Sequence, residues 1–264
     1  MTAVLCYHRI GGPLELGVTR VARSVFRRQM TALAGAGWST MSLSEFAAGV
    51  GTGGNRSPLT AHRFLLTFDD GYASLADFAY PLLADLGFTA TTFLITDFVG
   101  KTNTWDVRYT WRRLPHLDWA AIEQWRARGF DFASHTATHA RLTWLSEAAA
   151  TDELGRSRET LQRRLGAAEP AAVAYPFGAV DERVARFARG AGYDLGFGGV
   201  RGDPQDPLRQ PRTPVYMWDV GTTPLGLRTG GWGTAGRFVA HVANRCAVGT
   251  AVMNVFRHPS SVVR

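Results

Sequence analysis

The chain has 264 residues, 45% of them hydrophobic and 19% charged, with 29 Gly, 12 Pro and 2 Cys. That content buries a sizeable core and excludes a largely disordered chain. Cys6 and Cys246 have no CxxC spacing, which excludes a disulfide scaffold and sets aside a thiol-zinc or redox motif. The net charge is +7 and Lys101 is the only lysine, so the basic residues are almost all arginine. They are scattered, without a run of five and without zinc-finger or RNA-binding signatures, so the expectation is no nucleic-acid partner. An anionic small substrate is compatible with this charge.

Short apolar runs alternate with helical patterns along the chain. Ala3–Tyr7 reads as a buried strand. Ser24 then precedes a helix with Phe26, Met30 and Leu33 on one face, which closes near Gly35–Gly37. Ser42-Leu-Ser-Glu45 is a capping box for a short second helix, and 51–58 is a loop. Phe64–Phe68 is a strand, Ser74–Leu86 a helix and Thr89–Ile95 a β-branched strand. Residues 97–117 read as an irregular insertion rich in Trp and Arg. Asp118 caps a helix reaching Arg128, and Phe130–Ala133 is the next strand. A long helix from Ser146 to Leu165 leads to a strand at Ala172–Tyr175. A helix at Asp181–Arg189 and strands near Tyr193–Phe197 and Thr213–Met217 follow. The chain ends in a glycine-rich loop (221–233), a helix (234–245) and a last strand (252–256).

Strand–helix alternation predicts parallel β packing with helices outside, as a barrel or a doubly wound sheet. No linker divides it, so one domain over 1–264 is expected. No stretch of 18 apolar residues predicts a membrane span. The first residues, reaching His8 without a basic and apolar leader pattern, predict a cytoplasmic chain.

Four polar clusters each follow a predicted strand: Tyr7-His8-Arg9, Thr67-Phe-Asp-Asp-Gly71, Ser134-His-Thr-Ala-Thr-His139 and Tyr175-Pro-Phe-Gly178. In parallel α/β folds the C-terminal strand ends converge on one face, where sites assemble. Asp-Asp-Gly alone is a common turn, and HxxxH alone arises by chance. Together they favour a site for a divalent cation, because adjacent buried carboxylates repel unless a cation intervenes. Two imidazoles and one carboxylate also leave open positions for water and substrate, the layout of a hydrolytic metal centre.

On Thr67-Phe-Asp-Asp-Gly71, His135-Thr-Ala-Thr-His139 and the looser Tyr175-Pro-Phe-Gly178, the chain resembles the polysaccharide deacetylase family, carbohydrate esterase family 4 with its NodB-homology domain. The resemblance spans roughly residues 60–215. It implies a distorted (β/α) barrel and hydrolysis of N-acetyl groups on amino sugars. By it Asp69 is the catalytic base, Asp70, His135 and His139 are the metal ligands, and Tyr175, Pro176 and Phe177 form the oxyanion and substrate segment, with the Phe177 N–H as donor. Zn²⁺ suits this ligand set, and Co²⁺, Ni²⁺, Fe²⁺ and Mn²⁺ accept similar ligands.

The usual family member takes its general acid from a Leu-x-His motif near the C-terminal end. Here Val4-Leu-Cys-Tyr-His8 instead resembles the circularly permuted branch that acts on poly-N-acetylglucosamine. His8 is the expected acid, with His258 in Phe256-Arg-His-Pro259 as the alternative. His62, His116 and His241 receive no role. Family members often carry Arg two residues before the motif proline, paired with the catalytic carboxylate; this chain has Ala174. Arg9 or Arg212 is expected to supply that guanidinium. Trp218-Asp219 is a weak stand-in for the family's Asp-x-x-Asp-Trp motif. The expected partner is an N-acetylated sugar or glycoconjugate. The alternatives are a cyclic imide or ureide hydrolase on the same fold, and an inactive carbohydrate-binding relative.

Overall fold

The computed structural model describes residues 2–12, 18–50, 62–105, 113–167 and 170–227, and the following statements concern them. The predicted loop at 51–58, the helix at 234–245, the strand at 252–256 and His258 lie outside the described residues, as do residues 228–233 of the loop at 221–233. The elements run β1 (Ala3–Tyr7), β2 (Arg9–Ile10), β3 (Arg20–Val21), α1 (Arg23–Gly35), β4 (Ser39–Thr40), α2 (Leu43–Gly49) and β5 (Arg63–Phe68). A π-helical turn at Leu75–Ala79 leads into α3 (Tyr80–Asp85), then β6 (Thr91–Leu94), α4 (Trp119–Arg126), β7 (Asp131–Ser134) and α5 (Glu147–Leu165). The series closes with β8 (Ala172–Ala174), α6 (Glu182–Gly190), β9 (Leu195–Phe197) and β10 (Thr213–Pro214).

All pairings are parallel, in the order β10-β1-β5-β6-β7-β8-β9, with β4 also on β5. The curled sheet is carried round its last side by residues 210–215. The Gln210 N–H donates to Gly196 O and the Gly198 N–H to Gln210 O, and five residues on the Val215 N–H donates to Cys6 O. The result is a distorted (β/α) barrel.

Strand alternation sorts the side chains into two layers. Leu5, Tyr7, Phe64, Leu66 and Phe68 point outward and pack under α1 and α3 with Phe26, Met30, Tyr80 and Leu83. Val4, Leu65, Phe93, Ala133, Ala174 and Phe197 point inward. Met41, Leu43 and Phe46 join this inner cluster around the start of α2. The Leu43 N–H donates to Asp131 at the first residue of β7, at 2.8 Å, so α2 plugs the N-terminal mouth of the barrel. The C-terminal mouth is left for chemistry.

The Ser42–Glu45 capping box is complete in both directions, and Asp118, Ser146 and Asp181 each cap their helix as an acceptor for a backbone N–H. Ser24 is not a cap: α1 begins at Arg23 behind Ala22, with no side-chain bond to its first turn. Helix burial of Phe26, Met30 and Leu33 does that work instead. The strand predicted over Thr213–Met217 pairs only at Thr213–Pro214.

One buried polar chain fastens α1 to the barrel. The Tyr7 hydroxyl donates to Gln29 Oε1 at 2.9 Å, and Gln29 Nε2 donates to Asp219 O at 2.7 Å. Both side chains are fully buried. Tyr7→Phe strips Gln29 Oε1 of its donor where water cannot replace it, which costs about 1–3 kcal/mol. Urea denaturation of Tyr7→Phe should show that loss with an unchanged m-value; equal stability would mean that Gln29 finds another partner.

Candidate active site and metal centre

Asp69 and Asp70 follow β5 directly. The Asp69 N–H donates to Tyr7 O at 2.9 Å, which extends the β1–β5 ladder by one residue and keeps Asp69 on the inward face. Asp70 then turns at φ +69°. Gly71 continues at the same φ, and a Cβ there would stand 2.7 Å from Leu94 Cδ2, so this turn requires glycine. His135 and His139 follow β7 in a tight loop, with Thr136 and His139 also at positive φ. Of the five non-glycine residues at positive φ, four lie in the predicted clusters, the last being Phe177 at +61°. Such conformations cost on the order of 1–3 kcal/mol each and persist where surrounding contacts enforce them.

Those contacts are present. Glu153 of α5 accepts from the Thr138 N–H at 2.9 Å and from its hydroxyl at 2.7 Å. Ser134 and Ser157 share a hydroxyl bond of 2.7 Å, and the Thr136 N–H donates to Ser134 Oγ. The N–H groups of Thr96 and Asp97 donate to the carbonyls of Thr136 and Ala137.

The loop brings His135 Nε2 and His139 Nε2 each to 3.5 Å from Asp70 Oδ1. Ligand atoms of the three residues all lie within 4.8 Å of one another. Ala174 O can only accept, so the 2.7 Å contact from His135 Nδ1 puts the ring proton on Nδ1. Burial lowers the affinity of both histidines for a second proton. A neutral His135 therefore turns a bare Nε2 lone pair towards a carboxylate oxygen. Two electron-rich atoms facing each other in a buried site fit a cation between them, and the backbone bond on the far nitrogen is the support usual for a metal-binding imidazole.

Asp69 is held differently. Arg212 NH1 donates to Oδ1 at 2.7 Å and NH2 to Oδ2 at 2.8 Å, a buried bidentate pair. The guanidinium also donates from Nε to Gly198 O and lies over the Phe93 ring. Burial alone would raise the Asp69 pKa; the Arg212 charge, helped by His135 and His8, overcomes it and holds the carboxyl far below the usual range. The guanidinium expected from Arg9 or Arg212 thus comes from Arg212, which occupies both Asp69 oxygens. Ala174 belongs to the same inner cluster as Phe93, and its small side chain leaves that space to an arginine from another strand.

His8 follows β1 and joins Cys6 and Asp69 in a second group whose ligand atoms lie within 4.8 Å. Its Nδ1 is buried without a hydrogen-bond partner, and burial lowers its pKa to about 4. Phe177 sits at the rim, its ring 4.9 Å from that of His139. Tyr175 does not reach the cleft as expected. Its ring is fully buried, its hydroxyl donates to Leu208 O and its N–H to Phe197 O, so it braces β8 and has no donor left for a substrate. Pro176 is buried beside it.

Two neighbours escaped the sequence reading. Trp105 Nε1–H donates to His116 Nε2 at 3.0 Å, which leaves the His116 proton on Nδ1, aimed at Asp70 O at 2.8 Å. The Trp105 ring also lies 4.1 Å from that of His139. His116 therefore braces the strained Asp70 turn from the insertion at 97–117. The Trp content of that segment is the only sequence signal for it.

Four buried or half-buried histidines with lowered pKa values make stability pH-dependent. His8 and His116 are both lowered to about 4, chiefly by burial, and His135 and His139 move the same way. The unfolded chain therefore takes up protons below about pH 6.5 before the folded one does. Metal-free protein should hold its Tm above that pH, lose it from about pH 6.5 to 4, and gain more from added Zn²⁺ at pH 7 than at pH 5. A Tm that stays flat from pH 7 to 4.5 in chelator would contradict the burial of these rings.

Comparison with known proteins identifies the family. The sequence profile described as "Polysaccharide deacetylase" matches residues 56–196. The Bacillus subtilis (strain 168) protein YxkH, whose name places it with the polysaccharide deacetylases, is 26% identical over 193 residues. That match covers 73% of this chain, which spans 62% of the length of YxkH. The fold is similar to that of the Streptococcus pyogenes deacetylase PplD, solved with acetate (TM-score 0.72, 21% identity, 86% of this chain and 96% of that one). It is also similar to IcaB from Ammonifex degensii (TM-score 0.66, 22% identity, 92% and 97%). A third is the de-N-acetylase from Aggregatibacter actinomycetemcomitans (TM-score 0.65, 16% identity, 89% and 99%). With more than half of its length under the family profile, the chain belongs to the polysaccharide deacetylase family, whose members deacetylate acetylated saccharides.

Proposed function

We propose that the chain is a divalent-metal-dependent N-deacetylase that hydrolyses the acetamide of an amino sugar in a saccharide or glycoconjugate. The observation that carries this reading is the convergence of Asp70, His135 and His139 beside an arginine-held Asp69. A bound ion, with Zn²⁺ the first choice for this ligand set, would acidify water and polarise the acetyl carbonyl.

The protein's own groups do the rest. Asp69 takes the proton of the attacking water. Arg212 keeps it ionised; the resulting weak basicity would suffice for a water acidified by an ion held on Asp70, His135 and His139. The water oxygen bonds to the acetyl carbon, and the backbone N–H of Phe177 serves the developing oxyanion. When the C–N bond breaks, the leaving nitrogen needs a proton, and His8 delivers it. Burial keeps His8 neutral at rest, while the Asp69 carboxylate favours its charged form. The proton gained by Asp69 therefore passes through a short-lived imidazolium on its way to the nitrogen. Acetate and a free amine leave. Tyr175 serves as scaffold, and no reading requires Arg9 at the carboxylate.

An acetate-release assay over N-acetyl sugars, oligosaccharides and nucleotide sugars, with Zn²⁺, Co²⁺, Ni²⁺ or Mn²⁺ added, tests the proposal. Acetate should appear with at least one of them and disappear with chelator. Ring opening of a cyclic imide without acetate release would replace the proposal by the imidase alternative.

Asp69→Asn and His8→Ala should both keep one equivalent of metal at the Asp70 site, measured by elemental analysis, while kcat falls on the order of 10²–10⁴-fold. Wild-type turnover by Asp69→Asn would remove it as base. Wild-type turnover by His8→Ala would pass the acid role to another histidine such as His258.

A further inference from the structure

Cys6 is a buried thiol at the centre of the cleft for which the proposed chemistry has no use. Cys6 and His8 alternate on β1 with Val4 and share its inward face, and Thr67 and Asp69 do the same on β5, with Cys6 in register with Thr67. The Sγ atom of Cys6 lies 3.4 Å from Asp69 Oδ2. One ligand atom from each of Cys6, His8 and Asp69 falls within 4.8 Å of the others. We propose that Cys6, His8 and Asp69 form a second cation site, distinct from Asp70, His135 and His139, that takes a thiophilic divalent ion such as Zn²⁺, Co²⁺ or Cd²⁺.

Four features support it. Thiolate, imidazole and carboxylate together are a zinc-type ligand set with a position left open. Nδ1 of His8 is buried and has no hydrogen-bond partner, the condition of a nitrogen awaiting a ligand. Arg212 uses one lone pair on each Asp69 oxygen, and a carboxylate oxygen has a second. The last is charge. Arg212 already cancels Asp69, so a divalent ion beside the pair needs another anionic ligand, and of the other two members of the group only Cys6 can become one. Burial keeps the thiol protonated at rest, and its Sγ–H donates to Asp69; the arriving ion displaces that proton to solvent, one per ion bound.

Occupancy would tie up both groups to which the deacetylase reading gives proton transfer. On that reading excess metal inhibits the enzyme while the Asp70 site remains loaded. The binding itself does not depend on that reading.

Titration of the metal-free full-length protein with Co²⁺, followed by absorption, separates the sites. The first equivalent should give visible d–d bands from an oxygen and nitrogen site. The second should add a near-ultraviolet sulfur-to-cobalt charge-transfer band. Cys6→Ser should lose that band and keep the first-equivalent spectrum, which also reports an intact barrel, whereas Cys246→Ser should keep both. His8→Ala, with the thiol in place, should weaken the second equivalent by about 10–100-fold, and it carries the test if Cys6→Ser does not fold. Absence of any sulfur band in the wild type over several equivalents, or its persistence in Cys6→Ser, would overturn the proposal. Absence of acetate release with the band present would instead strike only the deacetylase reading.

Discussion

Two carboxylates stand next to each other at the end of β5, both nearly inaccessible to water, and the rest of the cleft is organised around that like-charge problem. Buried without partners, adjacent Asp69 and Asp70 would raise each other's pKa and one would take up a proton. The barrel treats them separately. Arg212 occupies both oxygens of Asp69 through a fixed bidentate fork. Asp70 instead faces two neutral imidazoles at 3.5 Å. One carboxylate is neutralised by the protein itself, and the other is left facing the two imidazoles. Removing Arg212 would leave Asp69 uncompensated in the interior, a change that typically costs 3–5 kcal/mol.

Holding Asp70 apart from Asp69 requires the chain to reverse direction between them, and the backbone carries the strain of doing so. Asp70 at φ +69°, Thr136 at +65° and His139 at +68° would each relax if the ligand loops were free. They are not free: His116 fixes the Asp70 carbonyl, Ala174 O fixes the His135 ring, and Glu153 anchors Thr138. Each brace comes from a different element, so the geometry is a property of the whole barrel.

The sequence showed the fold well wherever local signals and barrel geometry agree. β1, β5, α5 and α6 lie close to their expected positions because apolar period and capping residues mark them, and the Ser42–Glu45 box is a complete local instruction. α1 was found from its apolar face, but its start was misplaced because Ser24 looked like a cap and burial dominated. At the site, residues carried by short motifs were legible: Asp69, Asp70, His135 and His139 lie together as their spacing implied. What contacts at long range decide was not. Nothing in Pro211-Arg-Thr-Pro214 distinguishes Arg212 from Arg9 until β10 is paired with β1. Tyr175 looked like a substrate contact by its place in a motif, yet alternation on β8 turns its ring into the outer core. His116, 46 positions from Asp70, reads as one more loop histidine.

Cys6 is the clearest case of such a long-range consequence. In the sequence it is a lone thiol without a partner at any metal-binding spacing. The parallel register of β1 on β5 places it one inward step from His8 and across from the Thr67–Asp69 column. The same pairing that delivers His8 to Asp69 therefore also delivers Cys6, because inward positions on a strand repeat every second residue. A barrel cannot bring the one without the other. The residue at position 6 must then be small and tolerant of burial, and among such residues only a cysteine adds a soft ligand. The thiol faces the cleft beside Asp69, so what it contributes chemically is contributed there.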